Sequence, residues 1–164
     1  MKNALLILLV CTSFGCNQDT GKIQILQNRI DSLQSKLADS YKPGFGEFMS
    51  SIQVHHDKLW FAGKDHNWEL AAFEINEIQE SLDDIKKYCT DRPETKVLRM
   101  IDQPLQNLSA AIDQKNSTEF NNSYTILTTT CNTCHQETQH GFNVITMPTS
   151  PPFSNQDFEM QNKK

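Results

Sequence analysis

Asn116-Ser117-Thr118-Glu119-Phe120-Asn121-Asn122-Ser123-Tyr124-Thr125-Ile126-Leu127-Thr128-Thr129-Thr130-Cys131-Asn132-Thr133-Cys134-His135 is the stretch on which the fold turns. Phe120, Tyr124, Leu127, Cys131 and Cys134 recur at intervals of three and four, which is one face of a helix. Asn116 and Glu119 are spaced as a capping box at its start, and Gly141 stands where the helix would stop.

Three further helical segments precede it. The first spans about 46–61, with Phe45, Met49, Ile52, His56 and Leu59 on one stripe, and ends at Ala62-Gly63-Lys64. The second spans about 67–89 with Asn67 as cap and Ala71, Ile75, Ile78, Leu82 and Ile85 on one face. Glu74, Glu77, Glu80, Asp83 and Asp84 crowd the rest of it, most simply as a solvated face. The third starts at Arg92-Pro93-Glu94 and carries Val97, Met100, Ile101, Leu105, Leu108 and Ile112, with Pro104 forcing a kink or a split. No segment alternates with period two, so a sheet is not expected. The predicted fold is all-α: an antiparallel four-helix bundle over 44–141. Beyond it, residues 142–164 contain Pro148, Pro151 and Pro152. They form an extended tail, either a strap held by Phe153 and Phe158 or a disordered end.

Upstream, Ile23, Leu26, Ile30, Leu33 and Leu37 repeat as a heptad that stops at Tyr41-Lys42-Pro43-Gly44. So short a helix packs on the domain, pairs with a second chain or serves as a spacer, and its length favours the spacer. Residues Asn17 to Gly21 read as a polar tether. Before them, Met1-Lys2, an apolar run from Ala4 to Val10 and small residues up to Gly15 have the layout of a secretory leader. Ser13-Phe14-Gly15-Cys16 resembles the lipobox of bacterial lipoproteins, although that family favours leucine where Ser13 stands. The resemblance implies a signal peptide over 1–15 and lipidation of Cys16, with 16–43 as anchor, tether and heptad helix. The expected location is periplasmic, on a membrane through the lipid.

The five cysteines then each have an account. Cys11 leaves with the leader, Cys16 takes lipid, Cys89 is a buried or half-buried thiol near a helix end, and Cys131 and Cys134 remain for chemistry. Loss of Lys2 with the leader moves the formal net charge from -5 to -6. No basic cluster stands out, so a nucleic-acid partner is not expected.

Cys131-Asn132-Thr133-Cys134-His135 is a C-x-x-C-H motif, which reads as attachment of one haem c. On a helix both cysteines share a face from which they reach one porphyrin, while His135, four past Cys131, turns to the iron. A zinc knuckle would need a second ligand pair, and a dithiol redox pair would want a strand before it. The sixth iron position is open to Met49, His55, His56, His66, His140, Met147 or nothing. With helix centres near residues 53 and 128, a rise of about 1.5 Å per residue puts Met49 roughly 4–5 Å from the level of His135 and His56 roughly 15 Å away. Met49 is therefore the better axial ligand and His56 the lesser one. Met49 as a space-filling core residue is the plain alternative. His140, read as lying on the same helix as His135, cannot reach the opposite face of the ring.

A bundle whose last helix ends in Cys131, Cys134 and His135, with Met49 early in the first, resembles the cytochrome c-prime class. Segments His55 to Gly63, Asn67 to Ala71 and Pro151 to Gln156 also resemble a group of small bacterial single-haem proteins. The resemblance spans about 44–158 and implies a periplasmic haem bundle, often a homodimer, with electron-transfer or gas-binding roles. Met49 resembles the sixth ligand of its low-spin members. The long tail and the anchor depart from the class.

The expected function is thus one-electron transfer between redox proteins whose identity the residues do not specify. The alternative is a small-gas binding or sensing module with an open sixth position. Enzymatic, peroxidase-like chemistry is not expected, since it wants a distal acid-base group for which only His55 or His56 could serve, and His56 lies too far along the helix. A purely structural lipoprotein is the remaining reading.

Overall fold

A computed structural model describes residues 19–40 and 43–160. The proposed leader, Cys11, the lipidation site Cys16 and the end of the tail lie outside the described residues. The chain divides into two compact units, Met1–Lys42 and Pro43–Lys164. The described residues are all-α, without strands. None of their helices is long and apolar enough to cross a membrane.

In the first unit, helix α1 spans Asp19–Ser40. It therefore takes in the last three residues of the stretch read as a tether, Asp19 to Gly21.

The second unit contains α2 (Phe45–Lys64), α3 (Trp68–Tyr88), a 3-10 helix (Pro93–Ile101), α4 (Asp102–Asp113) and α5 (Ser117–Glu137). Each start has a local cause. Gly44 N–H donates to the Glu47 carboxylate at 2.9 Å before α2. The Asn67 side chain accepts from Leu70 N–H before α3, and Asn116 accepts from the amides of Thr118 and Glu119 before α5. These side chains satisfy amides that the first turn of a helix leaves without partners.

The third predicted segment is divided. Its first part is 3-10, and the α-helix begins only at Asp102, which leaves Pro104 in the first turn, where a missing N–H costs nothing. Nor does α5 run to Gly141. It ends at Glu137, with Thr138 as cap and Gln139 in the left-handed region at φ 64°. His140 consequently lies beyond the helix, not on it.

Helix α3 returns along α2 and carries a correction to the acidic face. Glu74 is buried, accepting from His55 Nδ1 at 2.6 Å with Lys58 Nζ at 3.9 Å. Partners from α2 make this burial possible, since a carboxylate out of water needs hydrogen bonds and charge around it. Helix α5 lies against α2, and their seam is aromatic: the Trp60 ring lies 4.9 Å from Tyr124 and 6.3 Å from Phe120, and Trp68 lies 5.9 Å from Phe120. Leu59, Ala62, Leu108, Phe120, Tyr124 and Ile85 are fully enclosed. Phe48 is buried in α2, whereas Phe45, Met49 and Ile52 of the predicted stripe are only partly covered.

After turns over 138–143, residues 144–160 form a largely extended strap. Phe158 is buried with its ring 5.8 Å from Phe61, and Asn67 Nδ2 donates to the Glu159 carbonyl at 3.3 Å. Phe153 contributes less, being 43% exposed beneath Lys58.

Gly63 does not stop α2, which continues to Lys64. Its role is close approach, because a methyl group placed on its Cα would fall inside the Phe120 ring. Gly63→Ala should destabilise the protein by about 1–3 kcal/mol through overpacking, despite the better helix propensity of alanine. Urea unfolding of the two proteins measures the difference.

Candidate functional site

The end of α5 faces the beginning of α2. Between them, closed on a third side by α3, the 3-10 helix and the strap, is a cavity of about 360 Å³. That volume falls within the range of about 300–1,000 Å³ usual for small-molecule and cofactor sites. Cys131, Cys134 and His135 line it from α5, and Met49 and His56 line it from α2. Leu82, Leu98, Ile101 and Ile145 give it apolar walls, and Arg92, Glu94 and His140 a polar side.

Neither cysteine of α5 is in a disulfide. Burial, with the neighbouring Cys134 thiol adding to it, pushes the Cys131 thiol up to about 12, and burial raises Cys134 as well. Both are protonated near neutral pH. A dithiol redox centre depends on a lowered thiol pKa, so these surroundings do not favour one. Among the described residues no three His, Cys, Asp or Glu side chains are grouped to hold a metal ion directly. Covalent haem attachment needs two thiols and a single ring nitrogen, and those are what α5 presents.

The His135 ring is oriented from behind. Its Nδ1 lies 2.6 Å from the Asn143 carbonyl oxygen. A carbonyl only accepts, so Nδ1 carries a proton, and in the neutral ring the lone pair is then on Nε2. Asn143 is placed by the turn after α5, where His140 N–H donates to the His135 carbonyl at 2.6 Å and Asn143 N–H to the His140 carbonyl at 2.8 Å. A second clamp lies within the motif. Asn132 Nδ2 donates to the Ile145 carbonyl at 2.8 Å, and Ile145 N–H donates to Asn132 Oδ1 at 2.7 Å. The residue between the two cysteines thus holds the strap against α5 as a neighbouring strand would.

His56 is buried opposite Tyr124 and Thr128. Those partners precede His135 by seven to eleven residues, roughly 10–16 Å along a helix. Tyr124 O–H donates to the His56 carbonyl at 2.7 Å, so its oxygen accepts from His56 Nδ1 at 2.9 Å. Nε2 lies 2.9 Å from the Thr128 hydroxyl, whose one proton goes either to this nitrogen or to the Tyr124 carbonyl 3.0 Å away. Ligation of iron through Nε2 would have to displace that hydroxyl. Desolvation lowers the His56 pKa from 6.5 to about 4.

Met49 is half-buried, packed beside the core, and makes no such commitment. The remaining candidates are dispersed. His55 is bound to Glu74, and His66, at φ 56°, pairs through Nδ1 with Ser117 Oγ at 3.1 Å. Met147 packs against the core from the strap. His140 lines the cavity, its Nδ1 bonded to the Thr138 carbonyl at 2.7 Å. Arg92 grips Glu94 with two hydrogen bonds, at 2.7 and 3.2 Å. A backbone hydrogen bond and the guanidinium together hold Glu94 below the usual carboxylate range.

Sequence reasoning missed Asn132, Asn143, Arg92, Glu94, Tyr124 and Thr128 as parts of this site. The one available signal was Asn132, an asparagine near the end of a helix, where its side chain readily bonds backbone outside the helix. No family model, curated protein or solved structure matches the chain.

Two predictions follow from these bonds. The unfolded chain protonates His56 near 6.5 and the folded chain only near 4, so the unfolded state binds more protons between those values. Stability therefore falls as pH drops through that window, by about 3 kcal/mol from this group, and His56→Gln should flatten the fall. Unfolding free energies at the two ends of the window measure it. Asn132→Ala should release the strap, speeding amide exchange at Ile145 by roughly ten-fold or more while leaving α3 protected.

Proposed function

We propose that residues 44–141 are a c-type cytochrome domain, an antiparallel four-helix bundle of the cytochrome c-prime kind, with one haem c bound covalently through Cys131 and Cys134. The protein is an exported one-electron carrier, periplasmic and tethered to a membrane by lipid on Cys16. The observation that carries this reading is that Cys131, Cys134, His135 and Met49 all line one cavity.

Haem held there would supply a reversible one-electron couple at iron. The protein's own residues have separable tasks. Cys131 and Cys134, three apart on α5, would hold the haem covalently. His135 offers Nε2 to the iron while Asn143 holds Nδ1, and such a bond behind a metal-bound imidazole raises its basicity. Met49 offers a thioether from α2, which stabilises the ferrous state and raises the potential. Leu82, Leu98 and Ile101 give the cavity an apolar lining. His56, with both nitrogens engaged, serves the seam between the helices.

The full chain produced with haem-attachment machinery should give a positive pyridine haemochrome and a mass increased by one haem. Its ferric spectrum should be low-spin with a methionine-to-iron band, and Met49→Ala should abolish that band while leaving haem attached. A colourless protein overturns the cytochrome reading. A high-spin spectrum in the unaltered protein, with fast carbon monoxide binding by the ferrous form, overturns methionine ligation and puts gas binding in its place.

A further inference from the structure

We propose that α1 pairs in parallel, in register, with α1 of a second copy of this chain. The pairing is independent of the haem reading and rests on the first unit alone.

Helix α1 presents Ile23, Leu26, Ile30, Leu33 and Leu37 at alternating intervals of three and four, each between 47% and 69% exposed. Five large apolar side chains in one exposed line call for a cover. Its back is already satisfied, since Gln24 Nε2 donates to Asn28 Oδ1 at 3.0 Å. A helix that packs on a globular core, or lies on a membrane, presents a broad apolar face of about 100° or more, and the membrane-bound kind adds aromatic residues. The stripe here is restricted to two heptad positions, with Ile25 set apart from it, and α1 has no aromatic residue. So narrow a seam fits a second helix of the same kind.

Residue types at the seam select the arrangement. With Ile23, Ile30 and Leu37 at the a positions and Leu26 and Leu33 at d, β-branched residues precede leucines, the pattern that favours two parallel strands. The flanks agree. Lys22, Arg29 and Lys36 occupy the g positions, and Gln27 and Gln34 the e positions. In a parallel pair a g residue faces the e residue five positions on in the other helix, so Lys22 and Arg29 meet the neutral amides of Gln27 and Gln34. In an antiparallel pair g faces g, and three cations would oppose three cations across the seam. The charges therefore discriminate against the antiparallel pair without adding ion pairs to the parallel one. With fewer than three full heptads the helix is marginal alone, so pairing depends on protein concentration.

The test is site-specific oxidation of the full chain, compared with the unaltered protein. In a parallel, in-register pair Leu26 faces its counterpart, whereas an antiparallel pair centred on Ile30 would separate the two by about 12 Å. Leu26→Cys should form a covalent two-chain species, and Asn28→Cys, on the outer face, should not. Sedimentation equilibrium of the unaltered chain at rising concentration should approach twice the single-chain mass. Ile30→Lys should return it to one, with thermal unfolding of the second unit unchanged. A single-chain mass throughout, together with no cross-link at position 26, overturns the proposal. So does a three-chain mass, equal cross-linking at 26 and 28, or a monomer that co-sediments with phosphatidylglycerol vesicles through this helix.

Discussion

The contact between α2 and α5 is the constraint on which the rest of the second unit depends. Gly63 has no side chain, so the Phe120 ring can occupy the space beside α2. One end of the seam is thereby brought close, and Trp60 and Trp68 fill around the ring. Further along, Tyr124 and Thr128 bond to the ring of His56, and the Tyr124 hydroxyl also bonds to the His56 carbonyl. These bonds fix the axial register of two helices far apart in sequence. A slip of one turn, about 5.4 Å, would leave buried polar groups without partners. The same register brings Met49 and the Cys131 to His135 stretch to one cavity.

Beyond the seam the cavity opens between the end of α5 and the beginning of α2. It is closed by α3, the 3-10 helix and the strap, and of these the strap has little regular hydrogen bonding of its own. The strap compensates with side-chain clamps: Asn132 takes both backbone groups of Ile145, and Asn143 lends its carbonyl to His135. A strand would satisfy such groups with another strand's backbone. Here a helix supplies a primary amide with one donor and one acceptor, which serves the same purpose. The ring that would ligate iron in the proposed cytochrome is thus oriented by a segment after the helix that bears it.

Particular residues show where sequence reading reached and where it stopped. The helical stretches of the second unit, the caps at Asn67 and Asn116 and the apolar stripe of α3 were legible because each depends on residues within a turn or two. Pro104 was legible as an interruption, but not the conversion of the preceding nine residues to a 3-10 helix. Glu74 belonged by composition to a solvated acidic face, and its burial depends on His55 and Lys58, which α2 brings from elsewhere. Gly141 invited an end to α5 that Thr138 and Gln139 provide four residues sooner, using a left-handed conformation at a non-glycine residue. Gly63 looked like punctuation and proved to be a packing surface.

The two levels divide along a physical line. Periodicity, capping and the spacing of Cys131, Cys134 and His135 are set by the geometry of one helix, 3.6 residues to the turn, so the residues alone determined an all-α chain and which side chains share a face. Which face meets which is a matter of long-range packing and of pairing every buried polar group. Only the tertiary structure could decide that His56 is held by Tyr124 and Thr128, that Glu74 is enclosed, and that Asn132 and Asn143 bind the strap behind His135. Those contacts join residues 8 to 72 positions apart, and no local preference specifies them.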